Sequence, residues 1–251
     1  MKKIKFIIEN LRLKRFPRYK NLKSNILDFP ITIIDKSSFI FMYNEIFNNE
    51  IYKFTSKNTK PIIIDCGANI GLSTIYFKKL YPRSNIISFE PDKYIFEILK
   101  KNIYSSKYDE VTLINKGLSD KDTEAIFFSE GADGGRIALK SDKNSLIKII
   151  LTKLSPFLQK HIDFLKIDIE GSEVEVIEEC KDCLKNVDNI FIEYHSIISK
   201  PQQLDRILKI LSDNSFRYYI DRTGIKSNRP FIKYESYFDY DLQLNISARK
   251  I

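Results

Sequence analysis

The sequence lacks the long apolar run that a membrane-spanning helix needs. No stretch of its 251 residues approaches the roughly 20 consecutive apolar residues that cross a bilayer. The basic start, from Lys2 to Lys5, resembles the beginning of a secretory signal peptide. The apolar segment after it ends at Glu9, however, well short of the roughly 7–15 residues that such a signal contains. We therefore expect a cytoplasmic protein.

Cysteine is also scarce. Three cysteines cannot form a disulfide framework. Cys180 and Cys183 form a C-x-x-C pair, but a structural zinc site needs two further ligands. We interpret the pair as two cysteines one turn apart on a helix. The sequence also contains no internal repeat and no low-complexity linker.

What is present is the composition of a globular protein. Hydrophobic residues make up 43% of the chain and charged residues 29%, and 251 residues are enough for one α/β domain with a sizeable core. The formal net charge of +8 favours an anionic partner. Nucleotide-linked sugars, nucleic acids, acidic glycans and lipid headgroups all fit, and the charge does not choose among them.

A glycine turn between a strand and a helix is the most informative feature. Residues 62–64 are three isoleucines, which is typical of a short strand buried on both faces. The strand ends at Asp65, then Gly67 and Gly71 follow, and a helix is predicted over residues 72–80. This arrangement is the ligand-binding turn of a doubly wound α/β domain, where glycine lets the backbone approach a ligand closely. The spacing D-x-G-x-x-x-G differs from the dinucleotide fingerprint G-x-G-x-x-G.

A second strand, residues 85–89, leads directly to Glu90. This acid lies about 20 residues after the turn, the separation at which a second-strand acid reaches ribose hydroxyls. A carboxylate suits two adjacent hydroxyls because each hydroxyl can donate one hydrogen bond to it. The turn and the acid together are typical of methyltransferases that bind S-adenosylmethionine (AdoMet).

Three motifs together resemble the FkbM-type family of AdoMet-dependent methyltransferases. They are D-C-G-A-N-I-G from Asp65, F-E-P around Glu90, and the more specific L-K-I-D-I-E-G-S-E over residues 165–173. The resemblance covers about residues 40–198. It implies O-methylation, most often of sugar hydroxyls, and therefore a sugar, nucleotide-sugar or glycan acceptor. It also implies AdoMet as the cofactor.

The expected fold is α/β, a Rossmann-like methyltransferase fold with a mostly parallel, seven-stranded, doubly wound sheet and an antiparallel final strand. We expect residues 1–58 to form a basic, helical accessory segment and residues 59–251 to form the methyltransferase domain. Residues 145–158 are predicted to be partly helical. Ser37 or Ser38 is expected to cap a helix over residues 39–47, a stretch that commonly closes over the cofactor in this family; a simple packing helix is the alternative.

Cofactor contacts are expected along the carboxyl ends of the strands. The glycine turn and the second-strand acid supply most of them, the end of the third strand lies over adenine in such sheets, and an acid after the fourth strand can hold the methionine amine. The predicted cofactor-binding residues are Asp65, Gly67, Asn69, Gly71, Glu90, Gly117, Leu118 and Asp168.

Four titratable residues are expected to converge where the fourth and fifth strands end: Asp168, Glu170, Glu193 and His195. We predict that His195 is the general base, because an ordinary pKa of about 6.5 suits proton capture near neutrality. Asp168 would orient the acceptor and Glu170 would bind its hydroxyl. In an alternative that the spacing does not demand, Asp168 with Glu170 or Glu193 holds Mg²⁺, which would acidify the hydroxyl.

Three further features have open interpretations. The glycine-rich loop at residues 129–136 is placed to form an acceptor site, with Arg136 holding an acidic group, or is an ordinary turn with a solvated arginine. Glu173 is interpreted as an acid stabilised by its helix dipole, and so is Glu175. The aromatic residues near the carboxyl end are expected to pack in the core or at an edge, with sugar stacking as the alternative. They are Tyr234, Tyr237, Phe238 and Tyr240.

The first 30 residues are strongly basic, and one short amphipathic helix could carry the apolar residues Ile4, Ile7, Ile8, Leu11 and Leu13. We expect an accessory helix packed on the domain, with an anionic membrane surface or a nucleic acid as alternative partners. Nucleic-acid methylation is the competing enzymatic function, but the fourth strand ends in D-I-E-G and lacks the N-P-P-Y type of run found in amino-group methylation. A non-catalytic partner subunit is a further alternative, which the intact glycines and Glu90 disfavour.

Overall fold

The computed structural model describes residues 2–132, 134–139, 142–224, 226–237 and 239–250. The strands are β1 (Leu22–Ser24), β2 (Ile31–Ile33), β3 (Ile62–Cys66), β4 (Asn85–Phe89), β5 (Val111–Ile114), β6 (Gly117–Leu118), β7 (Thr123–Phe128), β8 (Arg136–Ile137), β9 (Leu146–Thr152), β10 (Ile162–Ile167), β11 (Val187–Ile197), β12 (Phe216–Thr223) and β13 (Tyr240–Lys250). The α-helices are α1 (Lys2–Leu13), α2 (Lys36–Tyr43), α3 (Leu72–Leu80), α4 (Lys93–Ser106), α5 (Glu173–Cys180) and α6 (Leu204–Asp213). A π-helical turn spans Asn44–Asn48, and 3₁₀ turns span Ser155–Leu158 and Lys181–Asn186.

A seven-stranded sheet forms the centre of the molecule, in the order β12-β13-β11-β10-β3-β4-β5. The five strands from β11 to β5 are parallel to one another. The final strand, β13, inserts between β11 and β12 and is antiparallel to both. The predicted doubly wound sheet with an antiparallel final strand is therefore confirmed.

Two apolar cores cover the two faces of this sheet. Alternate side chains of a strand point to opposite faces, and the isoleucines of β3 follow this rule. Ile63 packs with Phe77 and Leu99 of α3 and α4. Ile64 instead belongs to the core that contains Val176 of α5 and residues of α6. A run of three isoleucines is thus explained by burial on both sides.

The N-terminal segment contributes to the first of these cores. Leu13, Ile33 and Phe39 are almost fully buried there, together with Ile63 of the central sheet. Asn102 of α4 joins the parts, because its amide pairs with the main-chain N–H and C=O of Thr32 and also donates to the oxygen of Ile70. Residues before the glycine turn therefore share a core with the residues after it.

Two local predictions need correction. Half of residues 145–158 forms β9, in a four-stranded sheet of order β6-β9-β7-β8, and the helical part is the 3₁₀ turn Ser155–Leu158. The β-branched isoleucines there favour a strand, and burial alternates so that Ile149 and Leu151 point inward. The cap of α2 is Asp35, whose carboxylate accepts from the N–H of Ser38 at 3.0 Å.

None of the described helices combines the length and the apolar composition needed to cross a bilayer.

Candidate active site

A cavity opens at the carboxyl ends of the parallel strands, where open α/β sheets bind their ligands. Its lining comes from the turn after β3, from the ends of β4, β10 and β11, and from β6 and β9 of the smaller sheet. Phe41, Met42 and Ile46 of α2 and the π-helical turn also line it. The segment predicted to cover a cofactor is thus part of the cavity wall.

The predicted site residues divide into two groups. Gly67, Asn69, Glu90, Gly117, Leu118, Asp168 and Glu170 line the cavity. Asp65, Gly71 and His195 are buried beside these lining residues and do not form part of the wall. These three are therefore separated from the cavity by their neighbours.

Gly67 is fixed by the close approach of two chain segments. Its φ of +82° is in the left-handed region, and a Cβ placed there would lie 1.8 Å from the main-chain oxygen of Asp168. The N–H groups of Gly67 and Ala68 both donate to the oxygen of Phe89, at 3.1 and 2.8 Å. This glycine lets the turn after β3 lie directly against the end of β10.

Asp65 and Lys166 stabilise this turn through buried polar contacts. Asp65 is fully buried, and one of its oxygens accepts from the hydroxyls of Ser73 at 2.6 Å and Thr74 at 2.7 Å. The ammonium of Lys166 donates to the oxygen of Gly67 at 2.8 Å and lies 3.4 Å from the other Asp65 oxygen. Burial lowers the pKa of Lys166, but the carboxylates of Asp168 and Asp65 outweigh it and raise that pKa well above its usual range.

Glu90 is held in place by the backbone. One oxygen accepts from the N–H of Asn69 at 3.0 Å and the other from the N–H of Asp92 at 2.9 Å. Burial raises the pKa of Glu90 to about 8, although these two donors act in the opposite direction. A carboxylate has about four lone-pair positions, so it can still accept bonds from two hydroxyls in the cavity.

An apolar slot lies next to Glu90. Gly117 and Leu118, predicted to contact adenine, form β6 and line the cavity beside Ile149 and Leu151 of β9. A Cβ on Gly117 would lie 2.7 Å from a methyl group of Leu151. The slot thus depends on β9, a strand that was not predicted from the sequence.

The opposite end of the cavity carries the predicted acidic cluster. Asp168, Glu170 and Glu193 line the wall, and His195 lies behind them. The Nε2 atom of His195 is 3.4 Å from Glu170 and 3.6 Å from Glu193. The four predicted residues are therefore brought together.

Glu173 is a member of this cluster that sequence reasoning missed. It is almost fully buried, and its Oε1 lies 3.0 Å from Nδ1 of His195. The same carboxylate accepts from the N–H groups of Ile169 and Gly171. It thus orients His195 and also closes the turn after β10, in addition to its predicted position in the first turn of a helix. Its place within the K-I-D-I-E-G-S-E motif was the available signal.

Mutual proximity changes the proton affinities of the cluster. Burial raises the pKa of Glu170 and of Glu193 above the ordinary glutamate range. Burial lowers the pKa of His195, but Glu170 and Glu173 outweigh it and raise that pKa well above its usual value. Glu170 and Glu193 are therefore stronger proton acceptors than ordinary glutamates.

Arg136 has a structural role that neither interpretation foresaw. Its guanidinium is buried and pairs with both oxygens of Asp142 and with Asp239 at 3.0 Å. Because two carboxylates already neutralise it, Arg136 is not a solvated side chain. The prediction for its loop also included Asp133, which lies outside the described residues.

The remaining predictions have mixed outcomes. Tyr240 is buried, with its ring 5.0 Å from that of His195, whereas Tyr234 and Tyr237 are more than half exposed. Phe238 lies outside the described residues. Cys180 is buried in the core and Cys183 is partly exposed.

Comparison with known proteins agrees with this architecture. The crystal structure of the methyltransferase FkbM from Methylobacillus flagellatus KT matches with a TM-score of 0.51 at 15% identity, over 80% of this chain and 46% of that one. TYW2 of M. jannaschii, solved in complex with AdoMet, matches with a TM-score of 0.50 at 13% identity, over 94% of this chain and 89% of that one. These likenesses show the fold of a Rossmann-like methyltransferase.

The family follows from the sequence match. A model described as the methyltransferase FkbM domain matches residues 65–218, and the chain belongs to the FkbM family of methyltransferases. Methyltransferase sdnD of Sordaria araneosa is 28% identical over 194 residues, covering 61% of this chain and 75% of that protein. The 2-O-methyltransferase NoeI of Sinorhizobium fredii is 24% identical over 155 residues, covering 53% of this chain and 63% of that protein.

Proposed function

We propose that this methyltransferase uses AdoMet to methylate a hydroxyl group of a sugar or glycan-type acceptor. One observation carries the proposal. A single cavity has at one end the carboxylate of Glu90, held by backbone N–H groups, and at the other a cluster of carboxylates that includes Glu170, whose pKa is raised. The first end suits a nucleoside. The second suits a hydroxyl that must lose its proton.

The residues of the first end fit AdoMet. Glu90 has free lone pairs for the two ribose hydroxyls. The slot beside Leu118 and Leu151 is apolar and suits adenine. Asp168 faces the cavity and would hold the methionine ammonium. When bound, AdoMet supplies an electrophilic methyl group on a sulfonium and leaves as a neutral thioether.

Glu170 is the residue best placed to accept the proton. A sugar hydroxyl is a very weak acid, so its oxygen must lose the proton as it gains the methyl group. Glu170 lines the cavity, and burial makes its carboxylate more basic than usual. The acceptor oxygen would form the new C–O bond while its proton moves to Glu170, which gives a methyl ether. In this proposal His195, buried behind the wall, positions the carboxylates.

Three observations support the proposed class of acceptor. NoeI is named as a 2-O-methyltransferase, which favours oxygen as the methylated atom. Several carboxylates at one end of a cavity can accept hydrogen bonds from the adjacent hydroxyls of a sugar. A formal net charge of +8 favours an acceptor that carries phosphate or another acidic group, such as a nucleotide sugar.

Methyl transfer from labelled AdoMet tests the proposal. Purified protein would be incubated with methyl-labelled AdoMet and fractionated cell extract, and label should enter nucleotide-sugar, glycolipid or polysaccharide fractions. Glu170→Gln should lower the rate by about 10²-fold or more. Glu175→Gln is the matched control, because Glu175 is exposed on α5. Label in nuclease-sensitive material, or an unchanged rate in Glu170→Gln, would contradict the acceptor class or the base, respectively.

A further inference from the structure

The two nitrogens of the His195 imidazole have different surroundings. Nδ1 lies 3.0 Å from Glu173, whereas the buried Nε2 makes no hydrogen bond to the described residues and lies 3.4 Å from Glu170 and 3.6 Å from Glu193. The residue as a whole is only 4% exposed. Because an ionised carboxylate only accepts hydrogen bonds, Nδ1 carries the proton in this pair. A divalent ion at Nε2 would replace the proton that this nitrogen carries in the imidazolium form. A histidine with Nδ1 on a carboxylate and Nε2 on the ion is typical of metal sites.

The Nε2 atom of His195 points at two carboxylates of the cavity wall. One ligand atom from each of Asp168, Glu193 and His195 lies within 4.8 Å of the others. Ligands of one ion, with bonds of about 2.1 Å, lie up to about 4.2 Å apart. A contraction of a few tenths of an ångström would therefore bring the three atoms onto a single cation.

The charge around these atoms also favours a cation. Five buried or partly buried carboxylates share the ion-paired cluster with two basic side chains, Lys166 and His195. The carboxylates are those of Asp65, Asp168, Glu170, Glu173 and Glu193. Buried charge without a counter-charge is costly, and a divalent cation would reduce the excess.

We infer that Asp168, Glu193 and His195 form a divalent-metal site in the wall of the cavity. Two carboxylate oxygens and one imidazole nitrogen suit Mn²⁺ or Zn²⁺. Three protein ligands leave positions for small molecules, as in catalytic metal sites. The role of the site rests on the proposed function: the ion would polarise the acceptor hydroxyl, and Glu170, outside the ligand set, would receive its proton.

A second cluster in the described chain provides a comparison. His161, Asp163 and Asp188 also bring three ligand atoms together. However, the His161 side chain is half exposed, and Asp163 already accepts bonds from Ser56, Asn58 and the N–H of Ile62. This cluster has an engaged carboxylate and no buried imidazole, so it serves as a control.

Manganese titration tests the site without an acceptor. Full-length protein stripped with EDTA would be titrated with Mn²⁺, and binding followed by loss of the free-ion electron paramagnetic resonance signal. We expect one tightly bound ion per chain in the wild type and in His161→Ala. Affinity should fall at least tenfold in His195→Ala and in the nearly isosteric Glu193→Gln. Binding of 5′-methylthioadenosine at the Glu90 end should stay intact and would show that each variant is folded.

The outcomes separate the metal site from the proposed function. Wild-type protein that binds neither Mn²⁺ nor Zn²⁺, or equal affinity in the wild type and both cluster variants, would overturn the site. Methyl transfer that persists in EDTA would refute the metal's role and leave the methyltransferase proposal standing. Tight Mn²⁺ binding without transfer to any sugar hydroxyl would do the reverse.

A separate observation concerns helix α1, which has apolar residues on two opposite faces. Leu13 is fully buried and the ring of Phe6 stacks on Tyr43 at 5.3 Å. The opposite face is exposed, and its four apolar side chains are between 56% and 63% accessible: Ile4, Ile7, Ile8 and Leu11. At 3.6 residues per turn these positions form one stripe.

Basic residues lie on both sides of this exposed stripe. By helical position Lys5 and Arg12 lie on one side, whereas Lys14, just past the helix end, lies on the other. We propose that α1 lies on an anionic lipid surface, with the stripe in the headgroup region and the basic residues against lipid phosphates. Lys5 and Arg12 also pair with Asp28 and Glu9 within the chain.

Vesicle sedimentation tests this proposal. Full-length protein should sediment with phosphatidylglycerol-containing vesicles and not with pure phosphatidylcholine vesicles, and salt should weaken binding. Ile8→Asp should weaken binding at least tenfold. Ile150→Asp is the matched control, because Ile150 is 52% exposed on the smaller sheet. Equal binding of both variants would refute the proposal, and so would a wild-type dimer that Ile8→Asp dissociates, which would assign the stripe to a second copy of the chain.

Discussion

The glycine turn makes a sharp prediction about stability. Gly67 and Gly131 both have a positive φ, +82° and +90°, but of the two only Gly67 lies directly against another backbone segment. A Cβ on Gly67 would lie 1.8 Å from the oxygen of Asp168, whereas one on Gly131 would meet nothing within 4 Å. The two glycine-to-alanine variants therefore separate the cost of contact from the cost of backbone conformation.

The magnitudes follow from these distances. Left-handed backbone costs an alanine about 1–2 kcal/mol, and this is the whole expected effect of Gly131→Ala. In Gly67→Ala the two backbone segments must also move apart by more than about 1 Å, which adds about 1–3 kcal/mol. Displacing the Gly67 oxygen weakens its bond from Lys166 and costs about another 1 kcal/mol. We expect about 3–6 kcal/mol in total for Gly67→Ala.

Thermal unfolding followed by circular dichroism would measure both variants. At about 2–4 °C per kcal/mol for a chain of this size, Gly131→Ala should lower Tm by about 2–8 °C. Gly67→Ala should lower it by about 6–24 °C and abolish binding of 5′-methylthioadenosine. Gly71→Ala should fall between them, because its new Cβ would meet only the flexible end of Leu99, at 2.7 Å. A Gly67→Ala protein that melts within 2 °C of Gly131→Ala would refute the reasoning.

Three further predictions concern single residues. Asn102→Ala should lower the free energy of unfolding in urea by about 2–4 kcal/mol, because it leaves buried polar groups of Thr32 and Ile70 unpaired; a loss under 1 kcal/mol would contradict this. Affinity for 5′-methylthioadenosine should rise by up to about tenfold per pH unit towards pH 8 and then level off, because burial raises the pKa of Glu90 to about 8 and ribose hydroxyls bind its ionised form. This ligand has no titrating amine, so calorimetry showing constant affinity from pH 6 to 9 would refute a role for Glu90. Arg136→Met should lower the free energy of unfolding by about 3 kcal/mol by leaving Asp142 unpaired, and the double variant with Asp142→Leu should recover part of the loss.

Short stretches of sequence were enough to predict the central sheet of the molecule and the end of the cavity that contains Glu90. Three isoleucines, a D-x-G-x-x-x-G turn and an acid about 20 residues later predicted β3, the turn and Glu90, because each depends on a short stretch of chain. The mostly parallel, doubly wound sheet also followed, because parallel strands with helical connections have few arrangements. Strand β9 was missed because an apolar run of this length fits strand and helix alike, and the pairing of β9 with β7 decided between them.

The sequence by itself determined which residue types stand at the strand ends, and tertiary structure decided what each of them does. Asp65 supports the turn from below and does not face the cavity, because Ser73, Thr74 and Lys166 surround its carboxylate. His195 is held by Glu173, whose position depends on how α5 packs against β11. Such contacts join residues that are far apart in the chain, and they depend on distances of a few tenths of an ångström, which residue spacing does not specify.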